Sequence, residues 1–242
     1  MKLTLLGTGD APGTPVIGCS CPQCEYARTN HVQRLRTSLL VQHQGAHILI
    51  DTSPDLRQQL LLNGSPHIDA VIWTHGHYDH FMGFGDFYRV QKLPDVYAAP
   101  EVLSYCGNIF KFLQFRRCPV EPYHSFDLLG LSITLVEVNH PPAYTCGVII
   151  SDGETRIGYT ADTRADIPTA SLQALSGVDL LFIDALVPPQ FNIPKHMNYR
   201  EACEFARHTG AGEFRCVHMS HHIAWDLPNI GKDGESFCLG TG

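Results

Sequence analysis

Thr74-His75-Gly76-His77-Tyr78-Asp79-His80 crowds three imidazoles and a carboxylate into the six residues from His75 to His80. Asp69-Ala70-Val71-Ile72-Trp73 precedes it, a short apolar run that reads as a buried strand. Packing does not account for such a run in a loop after a strand. Histidine is the commonest metal ligand and carboxylate its usual oxygen partner, so the stretch reads as part of a metal site. A solvated loop that happens to be rich in histidine is the plain alternative.

The same layout recurs on both sides of this loop. Upstream, Lys2 to Leu6 is a candidate strand, and Gly7-Thr8-Gly9-Asp10-Ala11-Pro12-Gly13-Thr14-Pro15 a Gly/Pro-rich loop. It lacks the Gly-Lys-Ser/Thr ending of a phosphate-binding P-loop; its glycines are read as letting backbone pass close to a metal centre or substrate. Thr37 to His43 and His47 to Asp51 flank Gln44-Gly45-Ala46 as a β-hairpin. Pro54 to Asn63 reads as a helix, with Ser53 as N-cap and Gly64 after its end. Downstream, Phe81 to Val90 is predicted helical, its aromatics lining or covering the site. Val96 to Ala99 is a strand, and Pro100 opens a helix.

Leu131 to Val138 alternates as a strand and runs into Asn139-His140-Pro141-Pro142. Thr145 to Ser151 and Thr155 to Thr160 form a second hairpin, delivering Asp162. Pro168 to Leu175 is a helix, Val178 to Ile183 a buried strand ending at Asp184, and Tyr199 to His208 a helix stopped by Gly210. Phe214 to Val217 is a last strand, delivering His218-Met219-Ser220-His221-His222. The polar stretch up to Arg36 and the segment from Gly107 to Arg117 carry no assignment. Acidic or His residues thus recur at strand ends, at Asp51, His75, His140, Asp162, Asp184 and His218. Residues converging from several strand ends build a site on one edge of a sheet.

Composition sets outer bounds. The 242 residues are 44% apolar, enough for a sizeable core in one domain spanning residues 1–242. A formal charge of −7 argues against a broad sequence-independent nucleic-acid surface. DNA is not expected as a partner and RNA is disfavoured. No apolar run approaches the roughly 20 residues that span a bilayer, and Met1 to Leu6 lacks a signal-peptide layout. The expectation is a cytoplasmic enzyme with no membrane partner, its oligomeric state open between monomer and homodimer. Of nine cysteines, three sit together in Cys19-Ser20-Cys21-Pro22-Gln23-Cys24. In a reducing compartment that cluster points to a metal site, with a redox role as the alternative. Cys106, Cys118, Cys146, Cys203, Cys216 and Cys238 read as core residues or bystanders.

Taken in order, His75-x-His77-x-Asp79-His80, His140, Asp162 and His218 resemble the metallo-β-lactamase superfamily along the whole chain. The resemblance implies an α/β four-layer αββα sandwich with metals at one edge. It implies that His75, His77 and His140 hold one divalent metal, that Asp79, His80 and His218 hold a second, and that Asp162 bridges them. Asp51 stands where the family has an Asp that orients the ligand loop. Taken singly, His140 could be a turn histidine and Asp162 a helix N-cap.

Gly7-Thr8-Gly9-x-Ala11-x-Gly13-x-Pro15, then Gly18-Cys19-x-Cys21-x-x-Cys24, and the ending His218-x-Ser220-His221 are similar to one branch, the PhnP-type phosphodiesterases. These are relatives of the tRNA 3′-processing endonuclease. That likeness implies a structural zinc on Cys19, Cys21, Cys24 and His221, with His222 as competitor for the fourth position. A closed Cys₃His set suits structural zinc. It also implies that His196, in Pro194-Lys195-His196-Met197-Asn198, is a catalytic histidine serving the leaving group; a loop histidine before a helix is the alternative. The expected activity is hydrolysis of a small cyclic phosphate ester, such as phosphoribosyl 1,2-cyclic phosphate, on two catalytic metals (Zn or Mn). The other expectations are an RNA 3′-end endonuclease, for which no basic arm is visible, and a thioester or lactone hydrolase.

Overall fold

The computed structural model describes residues 1–240. In chain order its elements are β1 (Lys2–Gly7), α1 (Pro22–Asn30), β2 (Ser38–His43), β3 (Ala46–Ile50), α2 (Leu56–Leu62), β4 (Ala70–Ile72), α3 (Tyr78–Phe81), β5 (Asp95–Ala98), α4 (Pro100–Ile109), β6 (Arg117–Pro119), β7 (Phe126–Leu128), β8 (Leu131–Glu137), β9 (Cys146–Ser151), β10 (Arg156–Tyr159), α5 (Thr169–Leu175), β11 (Leu180–Asp184), α6 (Tyr199–Thr209), β12 (Glu213–Val217) and β13 (Ser236–Cys238). One sheet runs β13-β1-β2-β3-β4-β5-β6, the other β12-β11-β10-β9-β8-β7.

The period of two along the strands sorts the second sheet into two faces. Leu131, Ile133 and Leu135 of β8, Val148 and Ile150 of β9, and Leu180 and Phe182 of β11 join the core shared with the first sheet. Their neighbours Val136, Ile149, Leu181 and Ile183 face a second core, which takes in Ala202, Phe205 and Ala206 of α6 and Leu175 of α5. On the first sheet, α2 contacts β1, and α4 contacts β5 and β6. The result is the expected four layers, α-β-β-α.

The pairing brings the site-bearing strand ends together. β3, β4, β5 and β6 are mutually parallel, as are β10, β11 and β12. β8 lies antiparallel to β9, and β9 to β10, so β8 points the same way as β10. The C-terminal ends of β3, β4, β8, β10, β11 and β12 carry the acidic and His residues singled out from the sequence.

Four local expectations need correction. The helix expected over Pro54 to Asn63 begins only at Leu56. Ser53 does not cap it from N-cap; its Oγ accepts from the Asp55 N–H at 3.2 Å and donates to Gln59 Oε1 at 3.0 Å. The helix expected over Phe81 to Val90 is the last residue of α3 followed by a 3₁₀ turn, Met82–Phe87. A Cβ at Gly83 would lie 1.8 Å from the Ser53 carbonyl oxygen, so the chain there is pressed against the Asp51–Ser53 loop. Phe81, Phe84 and Phe87 are buried, with Phe81 and Phe84 packed edge-on to Trp73, rather than covering the site. The unassigned polar stretch contains α1, started by Pro22 at its first turn. β6, β7 and β13, three residues each, are too short for a periodicity to register.

Candidate metal centre

β3 ends at Ile50, and Asp51 follows in the left-handed region at φ +61°. Ala161, before Asp162, and His218, after β12, also sit there, at φ +52° and +55°. Non-glycine residues cost about 1–3 kcal/mol each in such conformations and persist where the surroundings fix them. All three lie at or beside the residues that converge on one edge of the fold.

His75 and His80 are fully buried; Asp79, His140, Asp162 and His218 are buried, and His77 is partly open. His77 Nδ1 lies 3.1 Å from His75 Nε2 and 3.0 Å from His140 Nε2. Asp162 Oδ2 lies 3.5 Å from His75 Nε2 and 3.8 Å from His140 Nε2. On the other side, His80 Nε2 is 3.5 Å from Asp79 Oδ2 and 3.3 Å from Asp162 Oδ1. His218 Nε2 is 3.3 Å from Asp79 Oδ2 and 3.4 Å from Asp162 Oδ2. Metal–ligand bonds of about 2.0–2.1 Å put tetrahedral ligand atoms roughly 3.3–3.4 Å apart; the second set lies at 3.3–3.5 Å and the first scatters around that value, from 3.0 to 3.8 Å. His80 Nε2 and Asp162 Oδ1 are buried and make no hydrogen bond, although they face each other. Leaving such atoms bare is costly, and a cation between them removes the cost. The donor set therefore fits divalent metal ions, with Asp162 lying between the two groups of histidines.

The far sides of His75, His80 and His140 are also tied down, which fixes their tautomers and directions. Asp51 Oδ2 sits 2.7 Å from His80 Nδ1 and accepts from Thr74 Oγ1 at 2.8 Å, while Oδ1 accepts from the Thr74 N–H at 2.8 Å. Thr74 Oγ1 in turn lies 3.0 Å from His75 Nδ1. His140 Nδ1 meets the Lys195 carbonyl at 2.9 Å. Asp184 stands behind two rings: its Oδ2 is 2.8 Å from His196 Nδ1, and its Oδ1 is 3.6 Å from His218 Nδ1.

Burial pushes His75, His77 and His140 below the usual histidine range, with neighbouring rings adding to the effect, so these rings are neutral and ready to ligate. Burial acts the same way on His80 and His218, but carboxylates outweigh it: Asp162, Asp79 and Asp51 around His80, and Asp162, Asp184 and Asp79 around His218 hold both well above that range. Asp162 is held well below the usual carboxylate range because His218, His80 and His75 outweigh its burial. His196 is raised, its burial overcome by Asp184.

A second cluster joins the loop after β12 to the start of α1, with Cys19 before the helix, Cys21 at its N-cap and Cys24 within its first turn. His221 Nδ1 is 3.4 Å from the Sγ of each of Cys19, Cys21 and Cys24. One ring nitrogen cannot share a proton with three sulfurs at equal distance, whereas a tetrahedral zinc with bonds of about 2.3 Å to S and 2.0–2.1 Å to N gives this spacing. Burial and then His222 keep His221 below the usual range, hence neutral. His222 does not join the sulfurs; its ring lies against Phe191 at 5.8 Å.

Every residue singled out for metals thus falls into one of the two clusters, and His196 stands beside the first. Sequence reasoning missed the roles of Asp184, Thr74 and Lys195. Asp184 was visible as an acidic strand end, but its partner lies twelve residues on, across an irregular loop. Asp10 was also missed: it is buried, its Oδ1 has no hydrogen-bond partner, and burial raises its carboxyl to about 6.

With this geometry, residues 46–219 match the beta-lactamase superfamily domain, and the chain belongs to that superfamily of metal-dependent hydrolases. Among solved structures it is similar to a new diphosphatase from the PhnP family, with 31% identity and a TM-score of 0.86 over 98% of this chain and 96% of that one. Zinc-bound PqqB from Methylobacterium extorquens shares the fold, at 22% identity and a TM-score of 0.86 over 99% of this chain and all of that one. An octanoyltransferase of Porphyromonas gingivalis is 31% identical over 236 residues, 92% of this chain. The chain spans about half (46%) of that relative's length, so the transferase name belongs to a longer protein. Among the described residues no helix is long and apolar enough to cross a membrane.

Proposed function

We propose that the chain is a phosphodiesterase that hydrolyses a small cyclic phosphate ester, with phosphoribosyl 1,2-cyclic phosphate as the type of substrate. Two divalent cations, zinc or manganese, would be held by His75, His77 and His140 and by Asp79, His80 and His218, with Asp162 between them; a structural zinc would be held by Cys19, Cys21, Cys24 and His221. Such a pair lowers the pKa of a water and offsets charge on phosphoryl oxygens.

The observation that carries the reading is the position of His196. Its ring centroid lies 4.6 Å from that of His140 and 5.2 Å from that of His218, its Nδ1 is held by Asp184, and it contacts both halves of the cluster from outside. With Nδ1 committed, Nε2 is the nitrogen free to give a proton. Asp184 favours the imidazolium, so the ring keeps its proton to higher pH than an ordinary histidine. Expelling a sugar alkoxide from phosphorus requires such a proton, and expelling a thiolate does not. That need separates a phosphodiester from a thioester substrate. His140 and His218 hold His196 by ring contact on two sides, which limits its motion and keeps the donor aimed.

The PhnP-family diphosphatase favours a second reading, cleavage of a phosphoanhydride, whose phosphate leaving group needs less help from an acid. The test compares kcat/KM on ribose 1,2-cyclic phosphate, a nucleoside diphosphate, a thioester and a tRNA precursor, with zinc or manganese added in turn. Fastest turnover of the cyclic ester supports the proposal; fastest turnover of the diphosphate replaces it with the second reading. Sedimentation on the same preparation decides between monomer and homodimer.

A further inference from the structure

Helix α6 packs on β11 and β12. The period of two along β12 turns Phe214 and Cys216 toward it, and both pack into the second core, the one beneath α6. Cys216 is fully buried there, among Ala202, Phe205 and Ala206. Cys203 meets it from the helix: the Cys216 S–H donates to the Cys203 sulfur. Both are free thiols, and Cys203 is partly open to solvent. Tyr199 and Arg207 stand one turn before and one turn after Cys203 on the same helical row. The Tyr199 hydroxyl gives its proton to the Pro228 carbonyl at 2.8 Å. Cys216 is therefore the donor that favours a Cys203 thiolate, and the Arg207 charge adds to it. Together they bring the Cys203 thiol down to about 7, against its burial and the charge of Glu204.

We propose that Cys203 and Cys216 are a peroxide-sensitive dithiol: Cys203 takes the oxidant, Cys216 resolves it, and the disulfide between them slows the metal centre. A partly exposed thiolate with a second thiol at its side is the arrangement that peroxide selects. The Cys203 thiolate attacks one oxygen of hydrogen peroxide, the O–O bond breaks, and the departing hydroxide takes a proton to become water. Cys203 is then a sulfenic acid. The Cys216 sulfur attacks it, the S–O bond breaks, and the hydroxide leaves with the Cys216 proton as a second water. Two thiols have lost two electrons, and one peroxide has gained them. A covalent bond in place of a thiol–thiol contact draws β12 against α6. His218 lies two residues beyond Cys216, in the left-handed region at φ +55°. A misplacement of about 1 Å at a reacting centre costs up to about 10²-fold in rate. In a reducing compartment such a disulfide is transient, which suits a signal and not a staple.

The test treats the full, metal-loaded chain with hydrogen peroxide near neutral pH and follows peptide masses and hydrolysis of bis(p-nitrophenyl) phosphate. Wild type should lose two hydrogens in mass and yield peptides linked through Cys203 and Cys216. Its kcat/KM should fall by about 10-fold or more, and dithiothreitol should reverse all of these changes. Cys203→Ser, at a partly exposed position and so expected to fold, should match wild type without peroxide and keep its rate in it. Cys216→Ala should stop at the sulfenic acid, which dimedone traps, whereas wild type should give little adduct. An equal loss of activity in wild type and Cys203→Ser, or a Cys203–Cys216 link with undiminished activity, overturns the inference. Oxidation confined to Cys19, Cys21 and Cys24, or chains joined through the exposed Cys238 with Cys203 and Cys216 still free, overturns it too. If the ester is not hydrolysed at all, the phosphodiesterase reading fails while the dithiol is still read. Linked peptides with faster loss of metal to a chelator then support it, and no linked peptide, or metal loss unchanged by the link, overturns it.

Discussion

The two clusters differ in how they are built. Seven side chains of the His/Asp cluster come from four separate chain regions, from His75 to His218, and nearly every ring is tied at its far side to another group. The Cys₃His cluster takes three of its four members from six consecutive residues, with Cys19 and Cys21 partly exposed and three equal separations to one ring. The first is buried and supported from behind by a network; the second is a clasp joining the loop after β12 to the start of α1. A centre that does chemistry needs its ligands aimed while leaving room for substrate, whereas a structural one needs only to be closed.

The largest expected effect tests the shared carboxylate. Asp162→Ala should abolish hydrolysis and lower the metal content of the His/Asp cluster more than any single His→Ala change, with the circular-dichroism spectrum intact. Normal turnover by that variant, purified to homogeneity, would break the two-cation assignment. Next comes His196→Ala, expected to cost about 10²–10⁴ in rate on a ribose cyclic ester. On bis(p-nitrophenyl) phosphate, whose leaving group departs without a proton, the loss should be much smaller, with metal content unchanged. Equal losses on both substrates would remove the proton-donor role.

Smaller effects sharpen the contrast between network and clasp. Asp51→Asn should weaken metal binding by roughly 10–100-fold, as changes behind a ligand do, seen as a shift in chelator competition. The two halves of the His/Asp cluster should also differ in pH response. His80 and His218 have raised pKa values, so cation binding on their side must displace protons, and affinity there falls as pH falls; His75, His77 and His140 are already neutral. For the metal-free chain the sign is as follows: raised histidines contribute stability that is complete below about pH 6.5 and lost as pH rises through their folded values. Melting temperatures of metal-free and loaded protein should therefore diverge with rising pH, and parallel curves would contradict the charge assignment. Least affected is chemistry in Cys21→Ser, which should lose zinc and melt earlier while turnover per folded molecule changes little.

The difference between clusters also governs what could be read from the sequence. The His75–His80 loop is local, and the short cysteine loop likewise, so spacing alone exposed both. The αββα layering came from the family resemblance those ligands carry; the strand runs alone placed ligands at strand ends without fixing the layers. Apart from Asp51, which the resemblance pointed out, the network behind the ligands was illegible because its members pair across the fold: His140 with the Lys195 carbonyl over 55 residues, His196 with Asp184 over 12. Backbone carbonyls and hydroxyls carry no residue-type signal of metal chemistry. Helix ends failed where tertiary contact overrode a local cue, as at Gly83 against Ser53. The α6 helix succeeded because its cap is self-contained: the Asn198 side chain accepts from the Arg200 and Glu201 N–H groups, and Glu201 answers the Asn198 N–H.

Asp51 has a consequence for how the chain takes up cations. Through Oδ2 it touches His80 directly and His75 by way of Thr74, so one carboxylate steadies a ligand in each half of the cluster. Ordering that carboxylate for the first ion lowers the conformational cost of seating the second. By linkage the help is mutual, whichever ion arrives first. On the two-ion proposal the two halves would fill as a cooperative pair, and a titration should then show a steep single rise in place of two resolved steps.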